Sequence, residues 1–316
     1  MGNFSSNKMI SVLIYTKNEE LDLPACLKSV AWSNDIHVHD SGSTDATAAI
    51  AARAGAHFST RAAGGGRELF GGNEAEHKNW VLANLPFKYG WVLHLDADER
   101  VTPELAASIV GAARNPGDKV AFRMRRRDFW GKRWLKHVQT TSRYVRLFRP
   151  QKIRYERLIN PISVADGPVG ELAGFLDHHP FSKGMNHWLN RHNSYSSLEA
   201  QQIVSNRVAN QRFSLIQACF GKNQNQRRFH QKELFYRMPA RPLLKFLLLY
   251  VVKRGFLDGR AGFRYAMLQS FYEYLIVLKT KELAGQAESP VPNLEHTASS
   301  ASSGLENLHA RTRTND

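Results

Sequence analysis

The 316-residue chain carries 43 Lys and Arg against 28 Asp and Glu, a formal net charge of +15, with 42% hydrophobic and 10% aromatic residues. This composition excludes a disordered chain and suffices for one large domain, or one domain with a substantial appendage. The cationic excess suits an anionic partner: nucleic acid, a phosphorylated substrate or an anionic membrane surface. The two cysteines, Cys26 and Cys219, lie far apart and form no CxxC pair, which excludes a zinc knuckle or a disulfide framework and points to a reducing compartment. Met1 to Met9 is polar, so no signal peptide is expected. The most apolar run, Leu243 to Val252, is interrupted by Lys245 and falls well short of the roughly 20 residues a spanning helix needs. A soluble or peripheral protein is expected.

Along the chain, Met9 to Tyr15 reads as a buried strand and Leu21 to Val30 as a helix with Pro24 in its first turn. Ile36 to His39 is a second strand, and Ser43 or Thr44 is a candidate cap for a helix reaching Ala54. Ala56 to Ser59 is a third strand. A glycine-rich loop and a helix over about Glu74 to Ala83 follow. Trp91 to Leu95 is a fourth strand, Pro103 opens a helix to Ala113, and Val120 to Met124 is a further strand. This alternation predicts a doubly wound, mostly parallel α/β sheet, whose ligands bind beyond the carboxyl ends of the strands. Residues 123 to 157 turn basic and aromatic. Lys183 to about Asn210 reads as a long helix, and Pro239 to Glu282 as mostly helical, broken near Gly255 and Gly259. The domains predicted are 1–180 for the α/β unit, 181–284 for a helical region and 285–316 for a disordered tail.

Chemistry concentrates at strand ends. In Val92-Leu93-His94-Leu95-Asp96-Ala97-Asp98-Glu99 an apolar strand delivers carboxylates at i and i+2, which face one way. A hard divalent cation, Mg2+ or Mn2+, removes their mutual repulsion and binds phosphate oxygens as well. Asp40 closes the second strand, and Thr16-Lys17-Asn18-Glu19 follows the first. Three strand ends thus bring polar groups to one sheet edge, where a carboxylate can accept from ribose hydroxyls or a base N–H.

Residues 10 to about 105 closely resemble family 2 glycosyltransferases of the GT-A fold. The carrying segments are Ile10 to Glu20, Asp40 to Asp45, and Asp96-Ala97-Asp98-Glu99-Arg100. The likeness is to the subgroup that adds sugars to lipopolysaccharide cores or lipid-linked surface polysaccharides, with residues 120 to 280 resembling it more loosely. The resemblance implies that Thr16, Asn18, Glu19 and Ser43 border the nucleotide, that Asp40 contacts uracil or its ribose, and that Lys78 and Asn79 lie near the donor. It further implies that Asp96 touches ribose or metal and that Asp98 is the main metal ligand. Implied with these are an inverting transfer, a UDP-hexose donor and a glycolipid or lipid-linked acceptor at the cytoplasmic face of a membrane.

The chain departs from the subgroup where a His-acidic pair is usual: it has Leu158-Ile159-Asn160-Pro161, and proline takes no proton. Glu156 and Asp166 are the substitute catalytic bases named here, with Glu171 and Asp177 behind them. Gly64-Gly65-Gly66-Arg67 lacks a P-loop ending and suits a loop over the donor. His187 and Arg191, at i and i+4, share a helix face and are candidates for an acceptor phosphate, whereas His187 and His192 do not share one. His178-His179 is either an acceptor-side feature or a turn. Leu243 to Val252, flanked by Arg241, Lys253 and Arg254, is either an interfacial anchor or a core helix. Phe256-Leu257-Asp258-Gly259 recurs in the subgroup without an assignable role. A polyprenyl-phosphate glycosyltransferase is the nearest alternative. A basic nucleic-acid-binding protein using the basic-aromatic segment is the other alternative, but the segment carries no recognised nucleic-acid module, so no nucleic-acid partner is expected.

Overall fold

The computed structural model describes residues 10–61, 74–139, 141–156, 161–208, 213–221 and 224–288. Four parallel strands, β1 (Ile10–Thr16), β2 (Ile36–Asp40), β3 (His57–Thr60) and β4 (Trp91–Asp96), lie in the order β3-β2-β1-β4. β1 is buried throughout and β4 in all but its last residue, as strands covered on both faces must be. Alternate residues of β1 serve two cores. Ile10, Val12 and Ile14 pack with Leu23 of α1 (Leu23–Ser29), Ala51 of α2 (Thr47–Arg53) and Leu105 of α4 (Pro103–Arg114), while Leu13 and Tyr15 pack with Val81 of α3 (Glu74–Asn84). Pro24 sits in the first turn of α1, as expected. Neither Ser43 nor Thr44 caps α2. Asp45 instead accepts from the Thr47 backbone N at 3.0 Å, and the two hydroxyl residues turn back toward Asn18 and Asp40.

Beyond β4 the sheet mixes directions. β8 (Ser142–Phe148) runs antiparallel to β4 and to β6 (Ala121–Trp130). β11 (Val169–His178) runs parallel to β6, and the short β5 (Glu99–Val101) closes the edge antiparallel to β11. β7 (Arg133–Trp134) folds back on β6, and β9 (Ile153–Glu156) pairs β10 (Ile162–Ala165) in a separate ribbon. In the path β3-β2-β1-β4-β8-β6-β11-β5 only β8 and β5 run against the rest. This is the expected mostly parallel α/β architecture of GT-A type, with helices on both faces.

Two irregularities position the site. Between Phe122↔Leu147 and Arg123↔Val145 the β6–β8 register shifts, so Arg146 is the extra residue of a bulge. A bulge re-aims a side chain, and here residues 146 to 148 are buried in succession. On β11, Gly174 has φ +86°, and a Cβ there would meet the Leu105 backbone N at 2.6 Å. Only glycine lets α4 lie this close.

The carboxy-terminal region is helical: α5 (Gly184–Val208), α6 (Leu215–Phe220), α7 (Gln224–Arg237), α8 (Arg241–Leu247) and α9 (Gly259–Glu288). A π-helical stretch over Leu248–Val252 and a 3-10 turn over Gly255–Asp258 account for the expected interruption. Asp258 gives the Phe256 to Gly259 run a role. Its carboxylate accepts from the backbone N of His137 at 2.9 Å and of Val138 at 2.8 Å and pairs with the His137 ring, tying the appendage to the segment after β7. α9 continues to Glu288, so the start of the predicted tail is helical; 289–316 lie outside the described residues, as do Gly64 to Arg67 and Leu158 to Asn160.

Candidate active site

The carboxyl ends of β1, β2 and β4 are level, with Thr16 opposite Asp40 and Tyr15 opposite Asp96. The Asp40 carboxylate accepts from Thr16 Oγ1 (2.7 Å), Gly42 N (2.9 Å), Ser43 N (2.7 Å) and Ser43 Oγ (2.5 Å). Those four bonds use its acceptor capacity, so Asp40 shapes this rim rather than offering a vacant oxygen. Asn18 takes a left-handed conformation, φ 54°, which asparagine tolerates. Its N donates to Ser43 Oγ at 2.7 Å and its Oδ1 accepts from Thr44 N at 2.8 Å. Glu19 pairs with Lys183 just ahead of α5. Burial outweighs the pull of Lys183 and pushes the Glu19 carboxyl up to about 7.

At the end of β4 the acidic residues divide. Asp96 Oδ2 accepts from Arg146 Nη2 at 2.6 Å, and the same nitrogen donates to Glu99 Oε1 at 2.9 Å. Burial resists ionisation of Asp96, but Arg146 and His94 hold it well below the usual carboxylate range. Glu99 is fully buried and is shifted upward by that burial. His94 is pushed down to about 3 by burial and then by Arg146 and Lys78, so it is a neutral partner of the Tyr155 hydroxyl at 2.9 Å.

Asp98 faces another way. His178 Nε2 lies 3.2 Å from Asp98 Oδ2, and Nδ1 of the same ring is bonded to Asp128 Oδ1. Strand register creates this array, because His178 stands opposite Asp128 on β6 and Glu99 on β5. Burial opposes the charge on His178, yet Asp98 and Asp128 push the ring up to about 9. Asp98 is held low by His178 in spite of its own burial.

This donor set suits a divalent cation. A carboxylate and an imidazole converge, and a second carboxylate at Nδ1 fixes the tautomer that presents Nε2, the usual support of a ligating histidine. The imidazolium now bridging Asp98 and Asp128 stands where a cation would replace a proton. Asp98 offers a carboxylate oxygen beside the His178 ring. Asp96 fits less well, since one oxygen is committed to Arg146 and the other faces His94 at 3.7 Å. Asp128, Arg146 and Glu99 escaped the sequence reading as site residues, and His178 entered it only as an acceptor-side feature or a turn.

Lys78 lies between the rings of Tyr15 (5.4 Å) and Tyr155 (5.3 Å); burial lowers its pKa against the pull of Asp96. The Asn79 amide is occupied on both sides by the Tyr155 backbone, at 2.9 and 2.8 Å, so it fastens α3 to β9. The substitute bases are all in ion pairs: Glu156 with Arg154 (2.9 Å), Asp166 with Lys152 (3.0 Å), Glu171 with Arg143 (2.9 Å) and Asp177 with Arg127. Asp166 precedes the start of β11, which is level with the start of β6 at the edge opposite Asp98. Glu156 is exposed, and strand alternation turns it away from Tyr155 and its link to His94. The structure therefore brings neither Glu156 nor Asp166 to Asp98.

His187 and Arg191 do approach the site on α5. Against its burial, Tyr195, then Asp98 and Asp96, favour the charge on Arg191 and raise its pKa, and Arg191 donates to Tyr195 at 3.1 Å. His187 is pushed down by burial and then by Lys183 and Arg191, with Asp98 pulling the other way. Part of the basic segment is taken up by contacts on the sheet, while Arg123, Lys132, Arg133 and Lys136 stay exposed. Arg125 covers Phe175 at 4.4 Å, Arg126 pairs with Asp128 at 3.1 Å, and Arg149 covers Trp91 at 4.9 Å.

The family described as glycosyl transferase family 2 matches residues 11–169. Over 276 residues the chain is 27% identical to the lipopolysaccharide core biosynthesis glycosyltransferase LpsC of Rhizobium meliloti, covering 85% of this chain and 91% of the relative. Over 291 residues it is 23% identical to an uncharacterised glycosyltransferase of Rickettsia typhi, covering 88% of each. Among solved structures, glucosyl-3-phosphoglycerate synthase of Mycobacterium tuberculosis, in complex with Mn2+, UDP-glucose and phosphoglyceric acid, aligns at 22% identity with a TM-score of 0.32. That alignment covers 39% of this chain and 45% of the other.

Proposed function

We propose, since this chain belongs to glycosyl transferase family 2 and is a glycosyltransferase, that it moves a hexose from a UDP-sugar to a lipopolysaccharide core or lipid-linked glycan, with inversion. The observation that carries this reading is the Asp98–His178–Asp128 array, set at the same strand edge as the Thr16–Asp40 rim. Asp98 and His178 would hold a divalent cation, which would supply positive charge to the departing nucleoside diphosphate. Asp128 keeps the His178 ring in register. Arg146 holds Asp96 and Glu99 in fixed positions, and the Thr16–Asn18–Asp40–Ser43 network shapes the nucleotide rim. On the acceptor side Lys183, His187 and Arg191 offer donors to a phosphorylated glycolipid. The acceptor hydroxyl attacks the anomeric carbon and gives up its proton to solvent, while the bond from that carbon to the diphosphate oxygen breaks and the nucleoside diphosphate leaves. The LpsC relative supports the acceptor class.

A membrane-facing acceptor is supported by the outer surface of the appendage. No helix of the described residues is long and apolar enough to cross a membrane. Yet Phe263, Met267, Phe271, Tyr274 and Leu278 recur at helical spacing on the exposed side of α9, and Leu247, Leu248, Val251 and Val252 are exposed before it. Arg254, Arg260, Arg264 and Lys281 are exposed along the same stretch, whereas Asp258 and Glu273 are buried in ion pairs with His137 and Arg241. An apolar stripe rimmed by cations matches an anionic leaflet.

The test is thermal unfolding of the wild type and Asp98→Asn with UDP, UDP-glucose or ATP, each with and without Mn2+. A Tm rise that needs both the uridine nucleotide and the metal, and that vanishes in Asp98→Asn, is expected. An equal shift with ATP, a shift without metal, or one kept in Asp98→Asn overturns the assignment.

A further inference from the structure

A second group of ligand-type side chains lies at the other end of the sheet. Asp35 immediately precedes β2, His37 is the second residue of β2, and His57 opens β3. Residues at i and i+2 share a face, and the parallel register sets His37 opposite His57. Asp35, His37 and His57 therefore meet on one face at the amino ends of the strands, the edge remote from Asp40, Asp96 and Asp98.

Their geometry is that of a cation site. His37 Nε2 lies 3.1 Å and His57 Nε2 3.6 Å from the same atom, Asp35 Oδ1. One ligand atom from each residue lies within 4.8 Å of those of the other two. A tetrahedral ion bound at about 2.0–2.1 Å requires donor atoms about 3.3 Å apart, which both separations to Oδ1 approximate. The carboxylate is prearranged: Oδ2 accepts from Ser11 Oγ and from Lys88 N at 2.9 Å, which leaves Oδ1 turned toward the two rings. Asp35 and His37 are buried, so the strands hold both ligand atoms in place. The His57 side chain is 66% exposed, which gives a cation a path in and leaves a further coordination position to water.

We infer that Asp35, His37 and His57 form a second metal site, selective for a borderline divalent cation of the Zn2+ and Co2+ type. Two imidazoles with one carboxylate favour such ions over Mg2+ and Mn2+. The inference does not rest on the proposed glycosyl transfer and needs no assay of it.

The test uses the full chain stripped with EDTA and titrated with Co2+, whose four-coordinate complexes absorb visibly, followed by Zn2+ competition against a chromophoric chelator. The wild type and Asp98→Asn are expected to give the same Co2+ band, and Zn2+ is expected to abolish it while excess Mg2+ does not. His57→Ala and His37→Gln are expected to weaken Zn2+ by at least about tenfold, ligand loss costing no less than loss of an outer-shell partner. His57 is exposed, so its variant tests the site without threatening the fold, and far-UV circular dichroism confirms that. A Co2+ band kept in His57→Ala, or lost in Asp98→Asn alone, overturns the inference.

Discussion

His77→Leu is expected to stabilise the protein, and more so in acid. His77 is buried on α3 with neither ring nitrogen paired among the described residues, 5.0 Å from the ring of His39 and 6.2 Å from that of Tyr15. A buried polar group without a partner costs about 1–3 kcal/mol. Leucine has similar volume and better helix propensity, so a gain of that order is expected at pH 8. Proton linkage adds to it. Burial pushes His77 down to about 4, whereas the unfolded ring titrates near its ordinary value. The native state thus refuses a proton that the unfolded state accepts, and stability is lost as pH falls through about 6.5. By pH 5 the loss is about 1.5 pH units at 1.36 kcal/mol each, or roughly 2 kcal/mol. Leucine carries no such penalty, so the advantage of the variant widens to about 3–5 kcal/mol at pH 5. Urea unfolding at both pH values, with m unchanged, measures it. A variant less stable at pH 8, or with the same gain at both pH values, refutes the reasoning.

Three further outcomes follow from the same contacts. Arg146→Met strands the buried Glu99 and the Asp96 carboxylate, so urea unfolding is expected to show a loss of about 3–5 kcal/mol; a loss under about 1 kcal/mol would mean that Arg126 compensates. Asp128→Asn removes the charge that orients His178, so the Mn2+ concentration needed for half-maximal UDP binding should rise about 10–100-fold while the far-UV circular dichroism stays unchanged; unchanged metal dependence assigns Asp128 a purely structural role. Phe263→Ser with Phe271→Ser removes two exposed rings worth roughly 1–2 kcal/mol each on insertion, so sedimentation with anionic vesicles should fall at least tenfold; equal sedimentation shows that α9 does not face the bilayer.

The amino-terminal edge was legible because its strands are buried on both faces. Ile10–Thr16, Ile36–Asp40 and Trp91–Asp96 read as apolar runs that stop at polar residues, and parallel register does the rest. The other half of the site was not legible, because it depends on pairings far apart in the chain. His178 meets Asp128 only through the β6–β11 register, 50 residues apart, and Arg146 reaches Asp96 from a bulge that no periodicity announces. The contacts made by the basic run from Arg123 were hidden for the same reason. Its partners, among them Glu171, Phe175 and Asp177, come from a strand some 30 to 50 residues later. Local pattern encodes which face a residue takes; it does not encode which residue stands opposite.

The net charge of +15 finds its explanation outside the site. Residues 181–288 hold 17 Lys and Arg against 6 Asp and Glu, a net of +11, so most of the excess lies in the helical appendage. The transfer edge itself gathers Asp96, Asp98, Glu99 and Asp128 against Arg126, Arg146 and His178 and is not a cationic trough. A protein that used its charge to capture a nucleotide would concentrate it at the strand ends. Arg254, Arg260, Arg264 and Lys281 are exposed along the apolar stripe of α9, and the proposed membrane contact would draw on both the charge and the apolar surface. Salt should therefore weaken vesicle binding without weakening metal-dependent UDP binding to the same degree.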